Sequence, residues 1–403
     1  MNGFASSGAL QSSDASGALA RGRWRPDGAL LAVFLLLASV SFASVLWCLR
    51  NGYLLYYGDA VAHLNIARRL VDSRTPGYDQ IGTVWLPLPH LLAAPLVRYD
   101  SLWRSGLAGA IPAAAGFVAA GCLLFAAVRR LFSSSAAGWT AVLLLASNPN
   151  LLYLQSIPMT ESIFLAALAA VAYFTLRFHG SQSLASAAAA GLAALAGTLT
   201  RYDGWFLIPF VTVYLFFAGR RRLAPATLFL AVASLGPLYW LAHNWYYYAD
   251  PLEFYRGPSS AKAIYERALA SGMQRYRGDG DWSDAVRYFA AAARLVSGWG
   301  LAACGLAGLP VLLWKRRPWP LLLFLLLPVF YVMSLHSGAT PIFVPHLWPF
   351  SYYNTRYGLA ALPLLALGGA ALAQAVPARF RLGACAAVVW LGLAPWLWAG
   401  SRQ

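Results

Sequence analysis

Residues 106–130 read GLAGAIPAAAGFVAAGCLLFAAVRR, an uncharged run closed by Arg129 and Arg130. A helix needs about 20 apolar residues to cross the hydrocarbon core of a bilayer, and this run is long enough. The pattern recurs. Reading outward from it, spans fall near 29–49, 106–128, 136–149, 158–176, 183–199, 204–219, 223–243, 294–314, 318–335, 358–376 and 382–400. The expected fold is an all-α polytopic membrane protein of about eleven transmembrane helices. The segment 85–97 carries Pro87, Pro89 and Pro95, which disfavour a regular span there and suggest a re-entrant or partly inserted piece.

Composition agrees. Of the 403 residues 60% are apolar and 11% charged, against about 45–50% and about 25% in soluble domains. That balance excludes a soluble enzyme, a disordered chain and a nucleic-acid-binding domain. The net charge of +16 resembles a DNA-binder's, but it sits in short clusters between apolar segments, so no nucleic-acid partner is expected. The cations are arginine except for Lys262 and Lys315, and alanine is abundant, a composition that suggests a GC-rich bacterial genome. Cys48, Cys122, Cys304 and Cys385 lie in apolar stretches without metal-ligand spacing and read as small core residues. There is no Walker-type glycine loop, so ATP-driven transport has no support.

Basic loops orient membrane proteins, with Lys and Arg retained on the cytoplasmic side. Arg21, Arg23 and Arg25 precede the first span; Arg129–Arg130, Arg177, Arg220–Arg222, Lys315–Arg317 and Arg379 with Arg381 follow alternate spans. Every cluster falls on one side, which places the N-terminus in the cytoplasm. Only Asp14 and Asp27 of the 14 acids share that side. The others face outward, and because carboxylates contribute little to topology, chemistry on the outer face is the economical cause.

The Ser-, Gly- and Ala-rich start gives a cytoplasmic disordered N-terminus over 1–28, followed by one transmembrane domain over 29–400. The first span reads as a retained anchor, because its apolar core is longer than a signal peptide's and lacks a small-x-small cleavage site. Outer loops cover about 50–105, 244–293 and 336–357. No internal repeat of fixed period is visible.

Four outer-face stretches carry candidate chemistry. In the first loop, Gly58-Asp59-Ala60 opens a run of helical spacing in which His63 lies one turn on, and Asp79 follows a turn. Asp59 at a helix start also suits simple capping. Glu161, in Met159-Thr160-Glu161-Ser162, enters an apolar helix, where an acid is expensive and usually faces a polar cavity. Arg201-Tyr202-Asp203-Gly204-Trp205 forms a tight hinge in which Arg201 and Asp203 can neutralise each other. Arg356-Tyr357-Gly358 begins another span; an arginine at a helix start opposes the macrodipole, and a phosphate would offset that through its fork of donors. Tyr246–Tyr248, Tyr255, Tyr265, Tyr276 and Trp282 give the second long loop its aromatic character, which suits acceptor binding, donor gating or an interfacial belt.

At these motifs the chain resembles the GT-C superfamily of membrane glycosyltransferases, on the protein O-mannosyltransferase and aminoarabinose transferase branch. The resemblance covers about 29–376 and implies a large first outer loop with amphipathic helices. Its implied catalytic acid maps onto Asp59; some members carry two adjacent acids, whereas Ala60 follows here. The oligosaccharyltransferase branch uses an acidic metal site and a large soluble C-terminal domain, and a final span near residue 400 sets this chain apart from it.

The resemblance implies transfer of a sugar from a polyprenyl-phosphate donor to the hydroxyl of a glycan, lipid or protein acceptor. Such a reaction takes place within membrane lipids, at the extracytoplasmic face of a bacterial inner membrane. It needs a base at the hydroxyl and preorganised cations at the departing phosphate. Asp59 is the expected base and Arg356 and Arg201 the expected cations. His63 or His346 would donate hydrogen bonds, with Asp79 and Tyr357 as further substrate-binding candidates. Glu161 and Asp203 would hold sugar hydroxyls, orient an arginine or bind a divalent cation. No cofactor is required by this chemistry, a divalent cation is the one it leaves room for, and no metal ligands can be named. A secondary transporter or lipid-linked-glycan flippase is the rival reading, expected to show internal symmetry and ionisable residues near mid-membrane; a non-catalytic scaffold is another.

Overall fold

The computed structural model describes residues 27–314 and 319–399. All but the last two residues of the expected N-terminal segment, its three arginines and the Lys315–Arg317 cluster thus lie outside the described residues. The described chain is helical throughout, apart from one isolated antiparallel bridge, Phe343 to Tyr353, in the third outer loop.

Each expected span coincides with a helix, but the helices differ in length. Among the described residues six are long and apolar enough to cross a membrane alone: Gly28–Arg50, Leu107–Phe132, Glu161–Ser181, Leu223–Tyr248, Thr355–Ala373 and Ala378–Trp398. Ser135–Ala146, Leu184–Thr198, Asp203–Ala218 and Leu323–His336 are apolar but shorter. Around residue 298 the expected boundary is wrong. Instead of one span from 294, an amphipathic helix Trp282–Ser297 meets the apolar helix Trp299–Trp314 at 115°. Gly298, with φ of 78°, makes that corner, since left-handed backbone suits glycine. If the bent pair counts as one crossing, the total of clear spans is seven.

The long outer loops are structured. The first contains the helices Gly58–Arg69, Leu88–Ala93 and Asp100–Ser105; Leu88–Ala93 is all that the proline-rich 85–97 segment forms, too short to cross. The second contains Glu253–Arg256, Ala261–Ala270 and most of Trp282–Ser297. Asp27 at the start of the first span pairs with Arg129 at the end of the second, so these two ends share a side of the bundle.

Packing fixes the opposite side. Ser162 Oγ donates to the Ala113 carbonyl at 2.7 Å, tying the start of Glu161–Ser181 to the neighbouring helix. A Cβ on Gly204 would lie 2.8 Å from the Gly197 backbone, and one on Gly358 would lie 2.6 Å from the Ala292 backbone. Small residues let helix backbones approach closely in membranes. These contacts sit within a few residues of Glu161, Arg201 and Arg356, and so set where those side chains emerge.

Candidate active site

The capping reading of Asp59 does not hold. The helix Gly58–Arg69 is preceded by Tyr57 at its cap position, without a side-chain cap bond, and Asp59 lies one residue inside the first turn. Glu161 and Asp203 are each the first residue of their helix, behind Thr160 and Tyr202. All three carboxylates turn instead to arginines.

Arg356 Nη2 is 2.6 Å from Asp59 Oδ2, and its Nε is 3.4 Å from Glu161 Oε1. The same Glu161 oxygen is 3.3 Å from Arg201 Nη1. Arg201 Nε reaches Asp203 Oδ1 at 3.1 Å, its Nη1 donates to Thr160 Oγ1 at 3.0 Å, and its Nη2 meets the Tyr331 hydroxyl at 2.5 Å. Tyr331 in turn donates to Asp203 Oδ2 at 3.1 Å. Four motifs far apart in sequence thus close into one chain: Asp59, Arg356, Glu161, Arg201, Asp203.

Aromatic faces complete it. The Arg356 guanidinium lies 5.1 Å from the ring centroids of both Tyr57 and Tyr357, and Arg201 lies 5.6 Å from Tyr357, distances at which a ring face attracts a cation. Tyr357 stacks on Tyr331 with centroids 5.0 Å apart. The arginine side chains are 16% (Arg201) and 12% (Arg356) exposed, whereas Asp59 is 39% exposed. Arg356 Nε and Nη1 and Glu161 Oε2 are buried without a hydrogen-bond partner.

A cavity of about 650 Å³ opens against this cluster. Arg201, Arg356, Asp203, Thr160, Tyr357 and His63 line it, and Trp85, Phe206, Phe254, Phe330 and Met333 give it apolar walls. Asp59 and Glu161 pair with the arginines and do not themselves line it. An apolar space with two guanidiniums in its wall suits an amphiphile with an anionic head group.

His63 therefore joins the site, but as a neutral group. Burial, together with His90 and the two arginines, holds its ring well below the usual histidine range. Two expected residues are not brought in. Asp79 is exposed on the 3₁₀ turn Tyr78–Ile81, where it accepts from Gln80 Nε2 at 3.1 Å; His346 is exposed in the third outer loop. Neither lines the cavity.

Tyr331, Tyr57 and His90 were not singled out from the sequence. Tyr331 lies in an apolar run indistinguishable from a membrane-spanning core, and Tyr57 was legible only as a neighbour of Gly58-Asp59. The second long loop does reach the cavity, through Phe254, Tyr255 and Lys262.

The donor set does not fit a divalent cation. Among the described residues no three His, Cys, Asp or Glu side chains gather as metal ligands. The Asp59 and Glu161 carboxylates face a guanidinium that lies between them.

Comparison with solved structures matches the fold to the oligosaccharyltransferase of Archaeoglobus fulgidus. Its complex with Zn and sulfate has a TM-score of 0.51 at 15% identity, covering 90% of this chain and 52% of that one. The same enzyme tethered through a disulfide bond to an acceptor peptide containing the NVT sequon gives 0.52 at 12% identity, covering 92% and 55%. This chain spans about half the length of those it matches, and at such identities the likeness is of fold. Comparison with curated proteins finds no match. Residues 103–247 match the family model described as dolichyl-phosphate-mannose-protein mannosyltransferase, a segment that holds Glu161, Arg201 and Asp203. The helices long and apolar enough to cross a membrane make this a multi-pass membrane protein, with the fold of that oligosaccharyltransferase and, over residues 103–247, similarity to the dolichyl-phosphate-mannose-protein mannosyltransferase family.

Proposed function

We propose that the protein transfers a sugar from a polyprenyl-phosphate donor to an acceptor hydroxyl at the extracytoplasmic face of a bacterial inner membrane. In this reading the chain crosses the membrane about eleven times, with the shorter apolar helices counted as crossings and the N-terminus in the cytoplasm. The observation that carries the reading is the pair of guanidiniums, 16% and 12% exposed, in the wall of the apolar cavity. The isoprenoid part of the donor lies along that wall, and its phosphate meets Arg356 and Arg201.

The donor is a phosphodiester with one negative charge, and the departing phosphate gains a second as the glycosidic bond breaks. Preorganised guanidiniums stabilise that growing charge in a water-poor site. Arg356 has buried N–H groups without an acceptor, a state such groups rarely keep, and phosphate oxygens supply the missing partners. Asp59 pairs with Arg356, which lines the cavity, and is the most exposed of the three carboxylates. It takes the proton of the acceptor hydroxyl while that oxygen bonds the anomeric carbon and the C–O bond to phosphate breaks with its electron pair. Attack and departure on opposite sides invert the anomeric centre. Glu161 and Asp203 act as counter-charges that hold Arg201 and Arg356, and Tyr357 supports both from beneath.

The test is sugar transfer by the purified full-length protein in detergent. It is supplied with radiolabelled polyprenyl-phosphate sugars and a membrane-lipid or glycan extract. Product from the parent and none from Asp59→Asn supports the assignment. A folded protein that neither transfers nor binds any polyprenyl phosphate sinks it in favour of the transporter.

A further inference from the structure

His63 and His90 come from different helices of the first outer loop, Gly58–Arg69 and Leu88–Ala93, yet His63 Nδ1 lies 2.9 Å from His90 Nε2. His63 packs against Trp85 with ring centroids 4.3 Å apart and lines the cavity beside Arg201 and Arg356. His90 stands behind it, 1% exposed. A bond between two ring nitrogens needs one donor and one acceptor, and a neutral imidazole carries a single N–H. The proton placement in His90 therefore dictates that in His63. With Nδ1 engaged, Nε2 is the His63 nitrogen left for the cavity, as an N–H or as a lone pair. The neutral state follows from the surroundings: burial lowers the pKa of both rings, that of His90 to about 4, and two guanidiniums already line the same wall.

We propose that His90 is a positioning residue for sugar transfer: its bond to Nδ1 fixes the ring plane and tautomer of His63, so that His63 Nε2 meets a hydroxyl of the bound sugar. This role rests on the cavity being the donor site. A second imidazole buried behind the first gives His63 one orientation and one proton placement before the donor arrives. Such preorganisation of a group that touches the substrate speeds the reaction without new contacts. Trp85, packed against the ring with centroids 4.3 Å apart, restricts it further.

Gln and Asn at position 90 separate positioning from packing. Gln can present an amide atom near the place of Nε2 and keep the bond to His63; Asn fills the place of Nδ1 and leaves His63 unpartnered. Both are neutral, polar and of similar size. The experiment measures donor KM and kcat for His90→Gln and His90→Asn, each in the parent and in a His63→Leu background, with thermal unfolding of every variant in detergent. Expected is near-parental turnover for His90→Gln and a loss of about tenfold in kcat/KM for His90→Asn, the scale of one hydrogen bond. In the His63→Leu background the two should coincide, because coupling vanishes when the intermediary is gone. A Gln-to-Asn difference that persists there, or none in the parent, overturns the inference while the transferase reading stands. A parent that is silent with every polyprenyl-phosphate sugar overturns that reading, and this role with it.

Discussion

Arg356 holds Asp59 at 2.6 Å, so the proposed base and the proposed phosphate-binding cation are partners before any substrate arrives. Arg356 lines the cavity, whereas Asp59 does not and is 39% exposed. A phosphate entering the cavity competes with Asp59 for one guanidinium. As Arg356 turns to the phosphate, Asp59 loses its counter-charge and becomes the stronger base. Donor binding and base activation are thereby linked through a single side chain.

Replacing Asp59 by Asn keeps the shape and removes the proton acceptor. Turnover should fall by about 10²–10⁴, the usual contribution of a positioned general base, with donor affinity unchanged or improved because Arg356 loses a competitor. Steady-state kinetics beside a lipid-binding assay separates the two effects. Near-parental kcat would show that the proton goes elsewhere.

At Arg356 the geometry of the guanidinium matters as well as its charge. Arg356→Ala should weaken donor binding by about 10–100-fold, the scale of charge-assisted hydrogen bonds. Arg356→Lys should restore only part of it, because an ammonium lacks the planar fork that grips phosphate. Equilibrium binding of a polyprenyl phosphate to both variants checks this. Three equal affinities would remove Arg356 from the phosphate site.

Much of this arrangement could be read from the sequence, and what could not has a physical reason. Helix positions follow from apolar runs, so each expected span found a helix. Whether Ser135–Ala146 or Leu184–Thr198 crosses alone depends on neighbours that hydropathy does not see. The corner at Gly298 was invisible because amphipathic Trp282–Ser297 leads into an apolar helix with only one glycine between them. Asp59, Glu161, Arg201, Asp203 and Arg356 stood out because charge at the edge of an apolar segment is costly. The pairing of Arg201 with Asp203 inside one hinge was also legible and is present; the pairings between motifs were not, since they depend on how the helices pack. Tyr331 and His90 gave no signal: a lone tyrosine or histidine beside apolar residues is ordinary in either setting. Asp79 and His346 were drawn in by residue type, and the fold leaves both on exposed loops.

Glu161 is the one carboxylate that touches both arginines, and its side chain is 7% exposed. Glu161→Gln keeps the size and removes the charge between two buried cations. Breaking a buried ion pair by removing one partner costs about 3–5 kcal/mol, and the remaining partners Asp203 and Asp59 should hold the loss to the low end. A clear drop in Tm in detergent is expected, with a raised donor KM as the guanidiniums spread. An unaltered Tm with lower kcat alone would instead place Glu161 at the sugar.

The histidine pair makes stability depend on pH in a definite direction. Unfolded, each ring has its ordinary pKa of about 6.5; folded, burial foremost holds His63 well below that value and His90 at about 4. Between these limits the unfolded chain binds more protons than the folded one, so acid favours unfolding. The contribution is fully present above about pH 6.5 and falls as pH drops toward 4, by at most about 1.4 kcal/mol per pH unit for each ring. Thermal unfolding at pH 7.5 and 5 should therefore show a larger decline for the parent than for His90→Gln, which has no imidazole to charge. Parallel declines in the two proteins would mean that His90 is not held neutral in the folded state.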